Sequence, residues 1–373
     1  MRPYFVIALL VATPATAAGQ GQGQASSVSA TTVFTITPVG SFDNPWAMTF
    51  LPDGRALVSE KPGRLRAVAT NGTVSAPLPG LPAVQYGGQN GLLDVIVHPD
   101  FAKNRLVYIS YVEPGPGGTS GLAVGYGRYV NNAIQGFRVI FRDPVKTSDG
   151  NGHVSGRLAF APNKTLFVAS GDRQQATPAQ DLASAKGKIL NMTNIGWALA
   201  APAFPGSATT RKIHSLGHRN LLGMAFDAAG NLWEHENGPQ GGDELNLIAR
   251  GANYGWPVVS NGRNYGSPTD DIPDHETRPD FAAPKVWWNP SLAPSGLFFY
   301  SGSLFPAFRG NAFIGTLAGQ SIVRITVTGT SATETVRYSM GARIREVEQG
   351  PDGAIWALED GAGGRLLKLT PKS

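Results

Sequence analysis

The segment MTFLPDGRALV, residues 48–58, contains the pattern that decides the fold class of this chain. A short apolar run enters a Pro-Asp-Gly turn, and a second run of strand-forming residues leaves it. Proline and glycine favour tight turns, whereas runs of apolar and β-branched residues favour strands. The segment therefore predicts a β-hairpin.

The same hairpin pattern recurs along the chain. It is found at residues 48–58, 95–109, 158–168, 224–233, 297–314 and 350–356. The units lie very roughly 45 to 75 residues apart, and a hairpin unit at such a period is typical of propeller blades. We predict an all-β fold, a six-bladed β-propeller with four-stranded antiparallel blades, as a single domain over residues 33–373. A pair of β-sandwiches is the alternative, but sandwich domains would show no such period.

The beginning of the chain predicts export. Residues 1–18 place one cation, Arg2, before an apolar run and a small-residue exit at residues 15–17, as in a cleaved signal peptide. The apolar run is too short to span a bilayer, and the absence of cysteine excludes a lipid anchor on the mature N-terminus. Residues 19–32 are rich in Gly, Gln, Ser and Ala and are expected to form a disordered tail. We expect a periplasmic or secreted protein without a stable membrane anchor.

Composition excludes some functions. The chain has 47 Gly, 28 Pro and only 15% charged residues, which favours short strands and turns over helices. Without cysteine, an exported protein must be stabilised by a large core, a closed architecture or a bound metal. The net charge of +5 is not concentrated in a basic cluster with aromatics, so we expect no nucleic-acid partner, whereas an anionic small ligand would fit.

An acidic stretch, EHENGPQGGDELN at residues 234–246, is a candidate metal site. Its acidic side chains, glycines and prolines suit a rigid functional loop rather than a helix or a buried strand. Calcium binds oxygen ligands, and Asp243, Glu244 and the carbonyl groups of Gly238 and Pro239 could supply them. An acidic surface turn is the alternative, because no fixed calcium-loop spacing is present.

Two further features suggest chemistry. His153 lies in a glycine-rich loop before a strand, where an imidazole is able to act as a base or is simply bonded or solvated. Arg343 and Arg345 share one face of an extended segment because side chains alternate. Such a pair suits a planar carboxylate ligand or ordinary salt bridges.

Taken in order, the motifs resemble the soluble pyrroloquinoline quinone (PQQ)-dependent sugar dehydrogenases, the family of aldose sugar dehydrogenase and soluble glucose dehydrogenase. The resemblance runs from NPW at residues 44–46 to LLKL at residues 366–369. Between them lie GQNGLL (88–93), HVSGRL (153–158), GD (171–172), AQDL (179–182), GKIL (187–190), GHRN (217–220), GPQGGDELN (238–246), NYGWP (253–257), PSLAPSG (290–296) and RIR (343–345). The fold implied is again a six-bladed propeller.

The resemblance also implies roles for individual residues. His153 corresponds to the general base that takes the proton of the sugar's anomeric hydroxyl, with Gln89 as a substrate contact. The cofactor-binding positions are Gln175, Arg219, Asn220, Ser291, Arg343 and Arg345. One calcium ion is expected at the carbonyl groups of Gly238 and Pro239, where it activates the quinone, and a second, structural one at Asp243, Glu244 and Tyr254. The substrate implied is an aldose, oxidised to its lactone, with an unidentified electron acceptor and a monomeric or homodimeric state.

Some positions depart from the family pattern. A Leu-Lys pair in the fifth blade is replaced by Leu317 and Ala318, so one cation expected over the cofactor is missing. Gly152 precedes the histidine where the glucose enzyme has a carboxylate, and residues 191–194 read NMTN in place of an Arg and an Asp-Gly turn. Two alternatives therefore stay open. One is a propeller that has lost turnover and binds a sugar or a protein, and the other is a calcium-dependent sugar lactonase.

Overall fold

The computed structural model describes residues 20–21, 25–148, 150–266 and 272–372. The strands are β1 (Gln20–Gly21), β2 (Ser26–Ser29), β3 (Phe34–Asp43), β4 (Pro45–Phe50), β5 (Ala56–Glu60), β6 (Arg64–Val68), β7 (Leu92–Val97), β8 (Leu106–Pro114), β9 (Ser120–Val130), β10 (Ala133–Arg142), β11 (Ser155–Phe160), β12 (Leu166–Ser170), β13 (Lys188–Met192), β14 (Ile213–Leu216), β15 (Leu221–Phe226), β16 (Leu232–Glu236), β17 (Asp243–Ile248), β18 (Val286–Trp288), β19 (Pro294–Phe299), β20 (Ala312–Thr316), β21 (Ser321–Thr328), β22 (Ser331–Ser339), β23 (Ile344–Gln349), β24 (Ile355–Glu359) and β25 (Ala362–Pro371). The helices are short: α1 (Phe101–Asn104) and the 3₁₀ turns Ala30–Thr32, Pro116–Gly118, Thr177–Gln180, Thr210–Lys212, His275–Thr277 and Pro306–Phe308. No helix of the described ranges is long and apolar enough to cross a membrane.

The strands form six sheets, each of which is one blade of a propeller. The blades begin with β4, β7, β11, β15, β19 and β23, and these first strands pack side by side in a closed ring around a central channel. Within each blade, consecutive strands pair antiparallel. The structure confirms the all-β, six-bladed propeller.

The hairpin predicted at residues 48–58 is the inner pair of the first blade. Strands β4 and β5 pair from Phe50 and Ala56 outward, and the turn between them is closed by the Leu51 amide donating to the Arg55 carbonyl at 2.7 Å. Gly54 has a φ of +88°, a conformation that side chains rarely adopt, which explains the glycine of the Pro-Asp-Gly turn.

The first blade differs from the others in its outer edge. Its sheet has the three strands β4, β5 and β6, and an irregular segment follows in place of a fourth. That segment pairs through a single bridge between Val68 and Val74 and through the amide of Ser75 donating to the carbonyl of Ala67. The four-stranded blade plan is thus retained with a loosened outer strand.

The ring is closed by strands from opposite ends of the chain. Strand β3 pairs antiparallel with β25, from Phe34 opposite Pro371 to Asp43 opposite Ala362, and so forms the outer strand of the sixth blade. Because the last blade contains the first long strand, the propeller has no open seam between its first and last blades.

Parts of the segment 19–32, expected to be a disordered tail, form strands. Strand β2 pairs parallel with β22 at the outer edge of the fifth blade, and Ala30 is buried beside Phe34. Strand β1 pairs parallel with β18 in the fourth blade. These segments satisfy the free edges of two blades, which composition alone does not reveal. The predicted signal peptide at residues 1–18 lies outside the described residues.

Candidate active site

All six blades contribute to one cleft at the mouth of the central channel. The cleft has a volume of about 360 Å³, and each blade supplies residues that lie next to its strands. The lining residues, in blade order, are Trp46, Lys61, Gly88, Gln89, Val154, Ser155, Asn220, Leu222, Asn237, Ala293, Leu317, Arg343, Arg345 and Asp360. Of the predicted site residues, Gln89, Asn220, Arg343 and Arg345 are therefore brought together.

The two predicted arginines meet on one carboxylate. Nε of Arg343 donates to Oδ2 of Asp360 at 2.9 Å, and Nε of Arg345 donates to Oδ1 at 2.9 Å. Burial alone would raise the pKa of Asp360, but the charges and hydrogen bonds of Arg345 and Arg343 lower it below its ordinary value. The arginines share a single negative charge, so this wall of the cleft is positive.

His153 is buried beside the cleft and held at two atoms. Its backbone amide donates to Oε1 of Gln89 at 2.8 Å, and its Nδ1 lies 2.7 Å from Oδ1 of Asp172. The second oxygen of Asp172 accepts a hydrogen bond from Nε1 of Trp256 at 2.8 Å. Because a carboxylate accepts hydrogen bonds, Nδ1 carries the proton and Nε2 keeps its lone pair. Nε2 has no hydrogen bond to any described residue.

The loops that hold this pair are strained. His153 has a φ of +45°, and the loop after Asp172 has positive φ at Arg173 (+58°) and Gln174 (+60°). Such values are uncommon for residues other than glycine and persist where the surrounding structure enforces them. A Cβ at Gly152 would lie 2.4 Å from Oε1 of Gln174, so a larger residue at this position would displace the Gln174 side chain. The strain supports a functional role for the pair.

The acidic stretch is not one continuous loop. Contrary to expectation, Glu234 and Glu236 end the buried strand β16, and residues 243–246 begin the buried strand β17. The connection between them, residues 237–242, carries the predicted carbonyl ligands. Because side chains alternate along a strand, Glu234 and Glu236 of β16 face the same side of the sheet.

Asp243 holds loops together in this structure. Its Oδ1 accepts a hydrogen bond from the Gly238 amide, and its Oδ2 accepts from Oγ of Ser291 and from the amides of Leu292 and Ala293, all within 3.0 Å. Asp243, predicted as a metal ligand, therefore accepts hydrogen bonds at both carboxylate oxygens. The hydroxyl of Ser291, predicted as a cofactor contact, donates to it. Asp243 and Ser291 thereby join the fourth blade to the fifth.

The carbonyl groups predicted to bind calcium already accept hydrogen bonds. The Gly238 carbonyl accepts from Nη1 of Arg219 at 2.6 Å, and the Pro239 carbonyl accepts from the Tyr265 hydroxyl at 2.7 Å. Arg219 also lies 5.1 Å from the Trp256 ring centre, so it contacts the carbonyl loop and not the cleft wall formed by Arg343 and Arg345. Each carbonyl oxygen retains a second lone pair.

A second, much smaller cavity lies beneath this loop. It measures about 10 Å³, the space of one water molecule or ion, and its oxygen-bearing walls include Glu236, Glu244, Gly238 and Tyr254. The Tyr254 hydroxyl donates to the Leu247 carbonyl at 2.6 Å, so the oxygen that this residue can offer to a metal is its backbone carbonyl. Glu244 pairs with Nε2 of His275 at 3.1 Å.

Buried carboxylates continue beyond the small cavity. Ligand atoms of His218, Glu234 and Glu236 lie within 4.8 Å of one another. Burial raises the pKa of Glu234 well above its ordinary value, and repulsion by Glu236 raises it further. Oε1 of Glu234 and Nδ1 of His218 have no hydrogen-bond partner within the described part of the chain. A hard cation near the two carboxylates would relieve their repulsion and give Oε1 of Glu234 a partner.

A sequence profile described as Glucose / Sorbosone dehydrogenase matches residues 42–368, most of the chain. The chain belongs to the glucose/sorbosone dehydrogenase family.

Known proteins of the glucose/sorbosone dehydrogenase family resemble this chain in sequence and in fold. Aldose sugar dehydrogenase YliI of Escherichia coli (strain K12) is 40% identical over 338 residues, which cover 89% of this chain and 91% of that protein. The apo crystal structure of the soluble aldose sugar dehydrogenase from Escherichia coli superposes with a TM-score of 0.85 and 38% identity, over 91% of this chain and 100% of that one. The PQQ-bound aldose sugar dehydrogenase from Streptomyces coelicolor gives a TM-score of 0.71 and 26% identity, over 91% of this chain and 98% of that one. These comparisons confirm the resemblance found in the motifs.

Two members of the glucose/sorbosone dehydrogenase site carried no predicted role. Asp172 stood in a GD motif, but its contact with His153 depends on two loops that meet only in the folded blade. Lys61 lies outside every motif and reaches the cleft from the turn between β5 and β6.

Gln175, predicted as a cofactor contact, lies in the turn after Asp172, where its amide donates to the Asp172 carbonyl, and it is not among the cleft-lining residues.

Proposed function

We propose that the protein is a PQQ-dependent aldose dehydrogenase that oxidises the anomeric C1 hydroxyl of a sugar to a lactone. That it is an oxidoreductase acting on sugars follows from its family. The observation that supports the finer proposal is the combination of an oriented histidine with a cationic cleft. The relatives from Escherichia coli and Streptomyces coelicolor, named as aldose sugar dehydrogenases, support the same substrate class.

The cleft fits the cofactor in charge and in polar groups. PQQ is a planar tricarboxylate, and the cleft presents Arg343, Arg345 and Lys61 against the single carboxylate of Asp360. Arginine binds planar carboxylates through paired N–H groups, which makes Arg343 and Arg345 suitable anchors. Asn220 has a buried Oδ1 without a hydrogen-bond partner among the described residues, and it faces the same cleft.

The residues also fit calcium. The small cavity near Glu236 and Glu244 offers carboxylate and carbonyl oxygens at the size of one ion. We place the structural ion there, with Glu244 and the Tyr254 carbonyl as ligands and with Glu236 in addition. The Gly238 and Pro239 carbonyl groups would hold the cofactor-associated ion through their second lone pairs, and Asp243 acts by positioning Gly238.

The protein's part in the reaction is proton transfer and positioning. Nε2 of His153 accepts the proton of the C1 hydroxyl while the hydrogen on C1 leaves as hydride, so that C1 becomes the lactone carbonyl. Asp172 holds the Nδ1–H of His153 and stabilises the imidazolium that forms. Gln89 fixes the His153 backbone and leaves its side-chain N–H groups to bind a sugar hydroxyl.

The cofactors supply the redox chemistry. Bound PQQ supplies the acceptor for the hydride, and calcium supplies Lewis acidity that raises the electron demand of that acceptor. The balance is one hydride and one proton removed from each sugar, and the electrons then pass to an acceptor outside the protein. We expect this acceptor to be a soluble carrier in the periplasm or outside the cell, in keeping with the signal-like residues 1–18.

The test is dye reduction by the purified apo-protein with a panel of aldoses, with and without added calcium and PQQ. Activity should require both additions and should be lost in His153→Ala, whose PQQ binding should persist. Binding of PQQ without sugar oxidation would favour a binding module. Lactone hydrolysis with calcium alone would favour a lactonase, and absence of any PQQ binding would overturn the proposal.

A further inference from the structure

The cleft carries more positive charge than its own carboxylate can neutralise. Asp360 uses both oxygens on Arg343 and Arg345. The third cation, Lys61, donates from Nζ to the neutral carbonyl of Gly88 at 3.2 Å and forms no ion pair with any described residue. Three cations against one carboxylate leave an excess of two positive charges around the cleft. A ligand with more than one negative charge would therefore be held at more than one place.

Lys61 is held firmly at its backbone. Its amide donates to the Asn44 carbonyl at 2.9 Å, and its own carbonyl accepts from the Leu92 amide at 2.9 Å. Gly91 packs directly against it, since a Cβ there would lie 2.3 Å from the Lys61 carbonyl oxygen. The turn between β5 and β6 is thereby joined to the loop that carries Gln89. The ammonium group is thus positioned between the arginine wall and the Gln89 side of the cleft.

The electrostatic surroundings of Lys61 favour an anion beside it. Burial lowers the pKa of Lys61, and repulsion from Arg345 and Arg343 lowers it further, against an opposing effect of Asp360. A half-buried ammonium under such repulsion is stabilised when a negative ligand approaches. Lysine is a compact point charge that can serve one carboxylate while the arginines serve another.

We propose that Lys61 binds a carboxylate of the tricarboxylate cofactor, at a place separate from the carboxylate held by Arg343 and Arg345. This proposal rests on the proposed function, because PQQ is the polyanion in question. It also accounts for the departure at Leu317 and Ala318, where the family's lysine is missing. Leu317 lines the same cleft as Lys61, so a cation from the first blade is available in the cleft where the fifth blade lacks one.

The test is PQQ affinity of the full-length apo-protein in calcium, measured by titration of tryptophan fluorescence and by calorimetry. Lys61→Met should weaken PQQ binding roughly tenfold or more, as expected for loss of one charged hydrogen bond. Lys61→Arg should recover much of this loss. Lys103→Met, on an exposed position of α1, should bind as the wild type does.

The outcomes separate this proposal from the proposed function. If the wild type binds no PQQ, both fail. If the wild type binds PQQ and Lys61→Met binds it equally well, only the role of Lys61 fails; a raised KM for the sugar would then assign it to the substrate. A double variant, Lys61→Met with Ala318→Lys, supplies a second test, since a lysine next to Leu317 should restore affinity. Thermal unfolding of each variant checks that the fold is intact.

Discussion

The imidazole Nδ1 of His153 lies 2.7 Å from Oδ1 of Asp172, and both side chains are buried. Asp172 also accepts hydrogen bonds from the Gln174 amide and from Nε1 of Trp256. The carboxylate therefore faces donors on both oxygens, and it selects the imidazole tautomer with a free Nε2.

Asp172→Asn should lower kcat by about 100-fold or more, the range of a general base, while PQQ affinity stays unchanged. An amide in this place must turn its NH2 group toward Trp256 or toward His153, and the second orientation stabilises the wrong tautomer. Steady-state dye reduction and PQQ titration measure the two quantities. Asp181→Asn, an exposed neighbour, is the control, and an unchanged kcat in Asp172→Asn would show that Asp172 does not orient the base.

Arg345 and Arg343 should differ in their contribution to PQQ binding. The Arg345 side chain is 11% exposed and that of Arg343 is 50% exposed, so solvent screens the second more strongly. We expect Arg345→Ala to weaken PQQ binding by roughly tenfold to a hundredfold and Arg343→Ala to weaken it less. Titration of both proteins decides this, with Arg278→Ala, which lies outside the cleft, as control. Equal losses would contradict the ranking.

Calcium should stabilise the protein through Glu244. A ligand that binds only the folded state at one hundred times its Kd adds about 2.7 kcal/mol to the free energy of unfolding. Calorimetry with calcium or with a chelator should therefore show a higher Tm with calcium in the wild type. Because the second proposed ion, at the Gly238 and Pro239 carbonyl groups, does not depend on Glu244, this difference should become clearly smaller in Glu244→Gln. It should persist in full in Asp280→Asn, which alters an exposed carboxylate. A calcium effect of undiminished size in Glu244→Gln would place the structural ion elsewhere.

Asp243→Ala should destabilise the junction of the fourth and fifth blades. The change leaves the amides of Gly238 and Leu292 without their acceptor, at a cost of about 1–3 kcal/mol for each one that stays buried, whereas the Ala293 amide keeps Oγ of Ser291 at 3.2 Å. Chemical denaturation measures the total. Ser291→Ala removes a single donor to the same carboxylate and should cost far less. Similar losses in the two variants would rule out the role given to Asp243.

Glu348 should make stability depend on pH. It follows Glu346 by two positions on β23, and burial, with repulsion from Glu346 and Asp94, raises the pKa of Glu348 from 4.5 to about 8. An acid with a raised folded-state pKa takes up a proton on folding, so its unfavourable contribution grows as pH rises through this interval and then levels off. Glu348→Gln should therefore raise Tm at about pH 8.5 and change it little at about pH 4.5. Calorimetry at both values measures this, with exposed Glu276→Gln as control; an equal shift at both pH values would contradict it.

The sequence predicted what local patterns encode. The Pro-Asp-Gly hairpins and their period predicted the blades, and alternation predicted that Arg343 and Arg345 would share a face, as their contact with Asp360 confirms. Contacts between blades were not accessible in the same way. Lys61 reaches the cleft from the first blade and Asp360 from the last, and no local pattern links them.

The acidic stretch shows the same limit within one segment. Composition marked Asp243 and Glu244 together as candidate calcium ligands, but their adjacent carboxylates point to different surroundings. Asp243 faces the backbone amides of another blade, whereas Glu244 faces His275 and the small cavity. Alternation along β17, which composition did not reveal as a strand, explains this division.

The pairing of β3 with β25 has a mechanical consequence. Phe34, the first residue of β3, lies opposite Pro371, the last residue of β25. The segment that enters β3 and the segment that leaves β25 therefore lie side by side. A force that pulled Phe34 away from Pro371 would load the hydrogen bonds between the two strands one after another and not all at once. Tension applied at Phe34 and Pro371 would therefore open this pair from that end, and the bonds near Asp43 and Ala362, where the sixth blade adjoins the first, would open last.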